Sequence, residues 1–445
     1  MKTVVFCVMM FLVCSTLACA AEPSLMAHIE RAVGRSAKEQ LTAAYGGEFQ
    51  VRLHDHLRLQ TIFERVSEAV DDLDHDYSLT VLNSNDANAF SLPGGFIFVS
   101  RGLLKLIGSD EQRIAGVLAH EMAHVKQKHG INALMRQLGL SVIVELGKAV
   151  LEMPKNAAVY IASQALIEVV QSGYSREAEL EADQRALRYL VEAGFDPAGL
   201  VHVLSDLIVF EGEHPSGDVY RSHPYINTRI EQILSSLGSF WSEPKLINEC
   251  ELVLPAVSAD PLGRFQINGQ SLFDRQNNSY VSWFESISVS ELAFAPDGSL
   301  IAAAVCDQEI WDIWLWNRHG VVVERWKLDS PVPIQNLVFS PDSRKIAYNL
   351  VRPEGIELWV GYVGEITRYA LENSLGGEVI SWQASGIILK AEADKYYQLV
   401  PPHVEAVETE DPIPLVIERK PRVNPEIEQG QDDSIRLTRP SSIEL

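Results

Sequence analysis

The spacing of apolar residues changes once along this chain, near residue 250. Before that point it is helical. Across 109–129, Ile114, Val117, Leu118, Met122 and Val125 recur three and four apart and predict a helix with one apolar face, capped by Ser109 or Asp110. The same period predicts helices over 22–50, stopped at Gly46-Gly47, and over 55–76, with Leu59, Ile62, Phe63, Val66 and Val70 on one side. Further helices are expected over 175–190, ended by Gly194, over 197–211 and in the segment 222–234. Two apolar pieces, 138–150 and 157–170, are interrupted by Glu145, Lys148 and Glu152 and by Gln164 and Glu168. They are short for a bilayer and read as buried or lid-forming helices. Residues 78–82 and 96–99 are β-rich and flank the turn Pro93-Gly94-Gly95.

Beyond residue 250 short apolar and aromatic runs alternate with turns. Leu292-Ala-Phe-Ala-Pro-Asp-Gly is echoed 45 residues later by Leu337-Val-Phe-Ser-Pro-Asp-Ser, and each copy precedes a Trp-bearing run, 310–316 and 356–361. Forty-five residues is the length of a four-stranded propeller blade. A degenerate copy lies at 379–390, and 262–284 offers a worn first blade. A flat β-sandwich is the alternative. The expected fold is therefore multidomain: a mainly α (α+β) domain over 21–245, an all-β, propeller-like repeat domain over 250–400, and an acidic, Pro-rich tail over 401–445.

The predicted helix 109–129 carries His120-Glu121-Met122-Ala123-His124, an HExxH motif. Residues four apart share a helix face, so both imidazoles reach one metal ion, and Glu121 stands beside them to take a proton from water. On an apolar helix such a set is costly to bury unless a metal offsets the cost. A catalytic zinc site keeps three protein ligands and one open position. Glu179, on the helix predicted over 175–190, completes a His2Glu set, and Asp183, four residues on, is placed to orient a ligand histidine. Glu181 is the competing ligand but lacks that i,i+4 relation. Glu177 and Glu181 otherwise read as solvated, and His129 as an exposed helix end.

Charge and targeting narrow the setting. A formal net charge of −23 argues against a nucleic-acid partner and against simple adhesion to anionic lipid. Lys2, the apolar run 4–13 and the small residues Ala18-Cys19-Ala20 read as a signal peptide over 1–20, implying export to the periplasm. Lipidation at Cys19, with outer-membrane association, is the alternative. Of five cysteines, Cys7, Cys14 and Cys19 fall in that segment; Cys250 and Cys306 are as readily two free thiols as a disulfide.

Four motifs in order then give a resemblance: Asn88-Ala89-Phe90 with Pro93-Gly94-Gly95 and Gly102-Leu103-Leu104; His120-Glu-Met-Ala-His124; Glu179-Leu-Glu-Ala-Asp183; and Ser222-His223-Pro224 followed by Arg229. Over about 55–240 the chain resembles the gluzincin zinc metallopeptidases of the HtpX, BepA and CAAX-prenyl-protease type, in their soluble periplasmic branch. The resemblance implies one zinc ion per chain on His120, His124 and Glu179, with Glu121 as general base. It also implies a role near the metal for His223, covering the zinc or stabilising an oxyanion, with Arg229 assisting. The C-terminal TolB-like or WD-like β region stands where that branch carries helical repeats.

The expected activity is zinc-dependent endopeptidase cleavage of misfolded or mis-assembled envelope proteins, with substrate backbone pairing along 88–92 (Asn88, Ala89, Phe90) beside Pro93 and Gly94. Expected partners are protein or peptide substrates, an envelope complex docked on the β region, and peripheral membrane contact. The alternative is an envelope assembly factor or chaperone that uses the fold for binding.

Overall fold

In the computed structural model the described residues are 25–402, apart from 140–145, 148–156, 214–222, 243–244, 248–259, 269–270, 285–286, 366, 372–376 and 392–394. The expected signal peptide, most of the 138–150 piece, Ser222, Cys250 and nearly all of the tail lie outside them. The helical half contains α1 (Leu25–Ala44), α2 (Leu53–Val70), α3 (Arg101–Ile107), α4 (Glu111–Lys126), α5 (His129–Leu138), α6 (Ala157–Ser172), α7 (Arg176–Glu192), α8 (Gly199–Glu213) and α9 (Ile226–Leu237). None of these is long and apolar enough to cross a membrane. A small sheet accompanies them: β1 (Ser78–Leu82), β2 (Ala89–Leu92) and β3 (Phe96–Ser100), in the order β1-β3-β2 with β2 at one edge.

Helix α4 is the axis of this half. The Asp110 side chain caps it, accepting from the backbone N–H groups of Gln112 and Arg113 at 2.9 and 3.2 Å. The pattern predicts one apolar face, yet all residues from 114 to 125 are buried, because α2, α7, α8 and β2 pack around the helix. Fully enclosed side chains such as Leu118 and Met122 each contribute roughly 1.5–3 kcal/mol of apolar burial. Helix α8 crosses α4 backbone to backbone. A Cβ on Gly199 would lie 2.3 Å from the Gln112 carbonyl oxygen, and one on Gly116 2.9 Å from the Leu200 nitrogen, so this crossing requires glycine on both helices.

The expected 109–129 helix is shorter than its pattern. It stops at Lys126, Lys128 turns left-handed (φ 58), and the chain restarts as α5. Helix α7 begins at Ser175, whose hydroxyl accepts from Ala178 N–H at 3.4 Å.

The second half is a series of antiparallel meanders. Their strands are β4 (Lys245–Ile247), β5 (Phe265–Asn268), β6 (Ser271–Asp274), β7 (Ser279–Tyr280), β8 (Ser288–Phe294), β9 (Leu300–Asp307), β10 (Ile310–Asn317), β11 (Val322–Ser330), β12 (Ile334–Phe339), β13 (Lys345–Arg352), β14 (Gly355–Tyr362), β15 (Arg368–Leu371), β16 (Glu378–Gln383), β17 (Gly386–Lys390) and β18 (Tyr396–Leu399). The two clear sequence repeats are the four-stranded sheets β8–β11 and β12–β15. The worn first copy is the three-stranded sheet β5–β7. The degenerate copy, β16–β18, gains its fourth strand from β4, which directly follows the helical half: Tyr396 pairs with Ile247 and Gln398 with Lys245. Successive sheets pack face to face rather than merging, as propeller blades do. The two halves share one apolar core, in which Leu237 and Trp241 pack with Tyr369, Trp382 and Leu389, and Trp241 Nε1–H donates to the Tyr369 hydroxyl at 3.2 Å. Cys306, on β9, is a free thiol.

Candidate metal centre

Helix α4 presents His120 and His124 one turn apart, with Nε2 atoms 3.0 Å from each other. Helix α7 packs along α4 and aims Glu179 at them: its carboxylate lies 3.6 Å from His120 Nε2 and 3.4 Å from His124 Nε2. His223, just before α9, closes the group, with Nδ1 3.4 Å from His120 Nε2 and 3.3 Å from Glu179. The four residues bring one donor atom each within 4.8 Å of one another, the only such cluster of His, Cys, Asp or Glu among the described residues. Three of the four are buried.

The electrostatics around these donors favour positive charge. Burial opposes the charged forms throughout. Even so, hydrogen bonds to Asp183 and Glu179 raise the His120 imidazole to about 9, against burial and the nearby Arg229. Glu179 is held well below the carboxylate range because Arg229 and His223 outweigh its burial. His124 is pushed well below its usual value, first by burial and then by His120. The carboxylates of Asp183 and Glu179 thus favour a cation at these donors, and metal binding displaces any proton held there. One carboxylate oxygen on each of Glu121 and Glu179 is buried without a hydrogen bond, which a hard cation or its water would satisfy. Two imidazoles and a carboxylate form a zinc-type donor set.

Around these donors sits a supporting layer. Asp183 Oδ1 is 2.9 Å from His120 Nδ1. Arg229, 1% exposed, holds both oxygens of Asp183 at 2.7 Å and lies 2.7 Å from Glu179. Its fork is thus engaged by the acidic residues behind the site, while the residue also lines the cleft beside His120 and Glu121. Two neighbours escape sequence reasoning. His129, expected as an exposed helix end, is buried, with Nδ1 2.9 Å from His124 Nδ1. The left-handed turn at Lys128 folds it back, so the expectation fails because α4 ends early. Its Nε2 faces Glu181 at 3.6 Å, and Glu181 and Glu177 are exposed as expected. Tyr174 stacks on His124 with ring centroids 4.4 Å apart; only its place just before the α7 cap hints at this.

Glu121 lies on the cleft side, its Oε1 3.3 Å from His223 Nε2. That same His223 nitrogen is 3.1 Å from the Ala89 carbonyl on β2. The segment 88–94 divides. Asn88 and Ala89 line the cleft beside Glu121, whereas Phe90 stacks on Phe98 in the core with centroids 4.8 Å apart. Pro93 and Gly94 pack on α1: a Cβ on Gly34 would lie 1.9 Å from the Pro93 oxygen, and one on Gly94 (φ 90) 2.7 Å from the Arg31 Cα. Next to Glu121 opens an apolar pocket of about 40 Å³ walled by Leu103, Val117, Leu200, Val203, Leu204 and Leu207.

Residues 54–236 match the sequence profile of peptidase family M48. They form a peptidase family M48 domain. Over 206 residues (46% of this chain) the protein is 28% identical to the mitochondrial metalloendopeptidase OMA1 of Schizosaccharomyces pombe, covering 60% of that protein. Over 159 residues (34% of this chain) it is 28% identical to the beta-barrel assembly-enhancing protease of Escherichia coli K12, covering 32% of it. It is also 25% identical over 163 residues to metalloprotease YcaL of the same organism, with 36% of this chain and 61% of that one aligned. The chain thus spans less than two thirds of each of these relatives. Among solved structures, TolB from Acinetobacter baumannii aligns over 40% of this chain and 45% of its own at 13% identity and a TM-score of 0.25. At that score the blade reading rests on the sheets themselves.

Proposed function

We propose that this M48 chain is a zinc-dependent endopeptidase of the cell envelope, acting on misfolded or mis-assembled proteins. The observation that carries the reading is the convergence of His120, His124 and Glu179 beside Glu121 and an apolar cleft. His120, His124 and Glu179 would hold one zinc ion. When bound, zinc polarises the scissile carbonyl and brings the pKa of a water toward neutrality. Glu121, with its free buried carboxylate oxygen, takes a proton from the attacking water and delivers it to the leaving amine. Asp183 and His129 set the tautomers of the two ligand histidines from behind, and Arg229 positions Asp183 and Glu179.

The substrate strand lies against the Asn88–Ala89 backbone, and an apolar side chain flanking the scissile bond enters the pocket beside Glu121. In this reading His223, whose Nε2 lies 3.1 Å from the Ala89 carbonyl and which belongs to the donor cluster, covers the centre and swings away to admit substrate. The signal-like segment 1–20 and the name of the Escherichia coli relative support envelope location and protein substrates.

The test uses zinc-loaded full-length protein and an unstructured protein substrate. Glu121→Gln is expected to keep stoichiometric zinc and lose cleavage by about 10²–10⁴-fold. A Gln variant that cleaves as fast as the parent removes Glu121 from the chemistry. His223→Ala is expected to raise basal cleavage, and unchanged activity excludes a covering role.

A further inference from the structure

The wall of the apolar pocket belongs to a helix with two engaged sides. Leu200, Val203, Leu204 and Leu207 of α8 face the pocket, at helical spacing. His202 and Asp206, four apart on the other side, face the β-repeat half. The His202 ring meets the Tyr362 ring edge to face, with centroids 5.0 Å apart. Asp206 Oδ2 accepts from Arg113 Nε at 2.8 Å.

Arg113 is the knot. It sits in the first turn of α4, seven residues before His120, and its side chain is only 15% exposed. It donates to its own cap residue Asp110 at 2.8 Å, to Asp206 on α8, and to Glu365 in the turn after β14. One guanidinium therefore joins the catalytic-motif helix, the pocket helix and a β-repeat turn 252 positions away. A second tie holds the start of α8. Asp196 accepts from Lys345 Nζ at 2.7 Å and from the Tyr362 hydroxyl at 2.8 Å, while its other oxygen accepts from Ala198 N–H at 3.0 Å. The Gly116–Gly199 crossing brings the backbones of α4 and α8 together, so that end cannot spread. Beyond the crossing, α8 is held by apolar packing on α3 and α9 and by these side-chain ties.

We propose that Arg113 and Glu365 are specificity-determining residues: the β-repeat half, acting through them on α8, sets the width of the side-chain pocket. This rests on the endopeptidase reading for its substrate, but not for its mechanics. A pocket of about 40 Å³ selects compact aliphatic side chains, and releasing α8 at Asp206 widens it at Leu204 and Leu207, admitting aromatic ones. Arg is required because lysine, a point charge, cannot serve three carboxylates in a fork.

The experiment uses the full-length, zinc-loaded chain and two peptides that differ only in Leu or Trp beside the scissile bond. The parent is expected to favour Leu. Arg113→Met is expected to lower the Leu:Trp ratio of kcat/KM by about tenfold, and Glu365→Gln, which keeps the Arg113–Asp206 pair, by a few-fold. Leu204→Ala enlarges the pocket directly and calibrates the shift. If Arg113→Met and Glu365→Gln slow both peptides equally while Leu204→Ala changes the ratio, the β-repeat half does not set the width and the proposal is overturned. If the parent cleaves neither peptide, the endopeptidase reading fails instead. Amide hydrogen exchange, which needs no catalysis, then decides the coupling: Arg113→Met must speed exchange in the distal half of α8 but not in α7. Unchanged exchange in α8 overturns the proposal whatever the activity.

Discussion

Arg229→Met is the sharpest test of the electrostatic reading of the centre. Arg229 is 1% exposed and lies 2.7 Å from both Asp183 and Glu179. Methionine keeps most of the volume and removes the charge, leaving two buried carboxylates one turn apart on α7 without the cation they share. Breaking a buried ion pair from one side costs about 3–5 kcal/mol. For a folding unit of 150–250 residues each kcal/mol moves the midpoint by about 2–4 °C, so the chelated variant should melt roughly 6–20 °C below the chelated parent. One zinc ion per chain restores positive charge beside Glu179, so the zinc-loaded pair should differ by less than half of that gap. Circular dichroism at the helical minimum follows the M48 half, in which α4 and α7 lie. A chelated variant that melts within 2 °C of the parent, or a gap that zinc leaves unchanged, would falsify the account of Glu179 and Asp183 as carboxylates held ionised by Arg229.

Asp183→Asn should weaken zinc binding by about 10–100-fold with little loss of helix content, read by competition with a chromophoric chelator, because the His120 tautomer is no longer set from behind. His129→Ala should act in the same direction through His124, and zinc affinity equal to the parent's would count against its place there. A buried network away from the centre predicts a pH window. Burial opposes the charged forms, but hydrogen bonds to Asp72 and Glu30 raise His75 to about 9, and those to His75 and Tyr77 lower Asp72 to about 2. The raised His75 stabilises fully below its unfolded value near 6.5 and loses that as pH rises through 9; the depressed Asp72 stabilises above 3.8 and loses that as pH falls through 2. Denaturation midpoints should therefore plateau between about pH 4 and 6.5, and His75→Leu should flatten the alkaline limb by about 3 kcal/mol. An alkaline limb identical in the variant would rule out His75 as its source.

Residues three and four apart carry their own geometry, which is why so much of the centre is legible in the chain. His120 with His124 and Glu179 with Asp183 share helix faces wherever those helices lie, and Asp110 and Ser175 cap them through bonds to residues two and three ahead. The 45-residue echo likewise marks two sheets, because each meander is closed by neighbours in sequence. What the tertiary structure alone decided depends on chain reversals. The left-handed turn at Lys128 ends α4 early and buries His129 against His124, which no helical wheel anticipates. Docking of the 93–94 turn on α1 leaves Asn88 and Ala89 as the part of that segment beside Glu121. Strand β4 completes a sheet whose other strands begin more than 130 residues later, and Arg113 meets Glu365 across 252 positions. Period and spacing encode which side of an element is apolar; which element then covers that side is settled by packing, and here packing placed the β-repeat half behind the pocket helix.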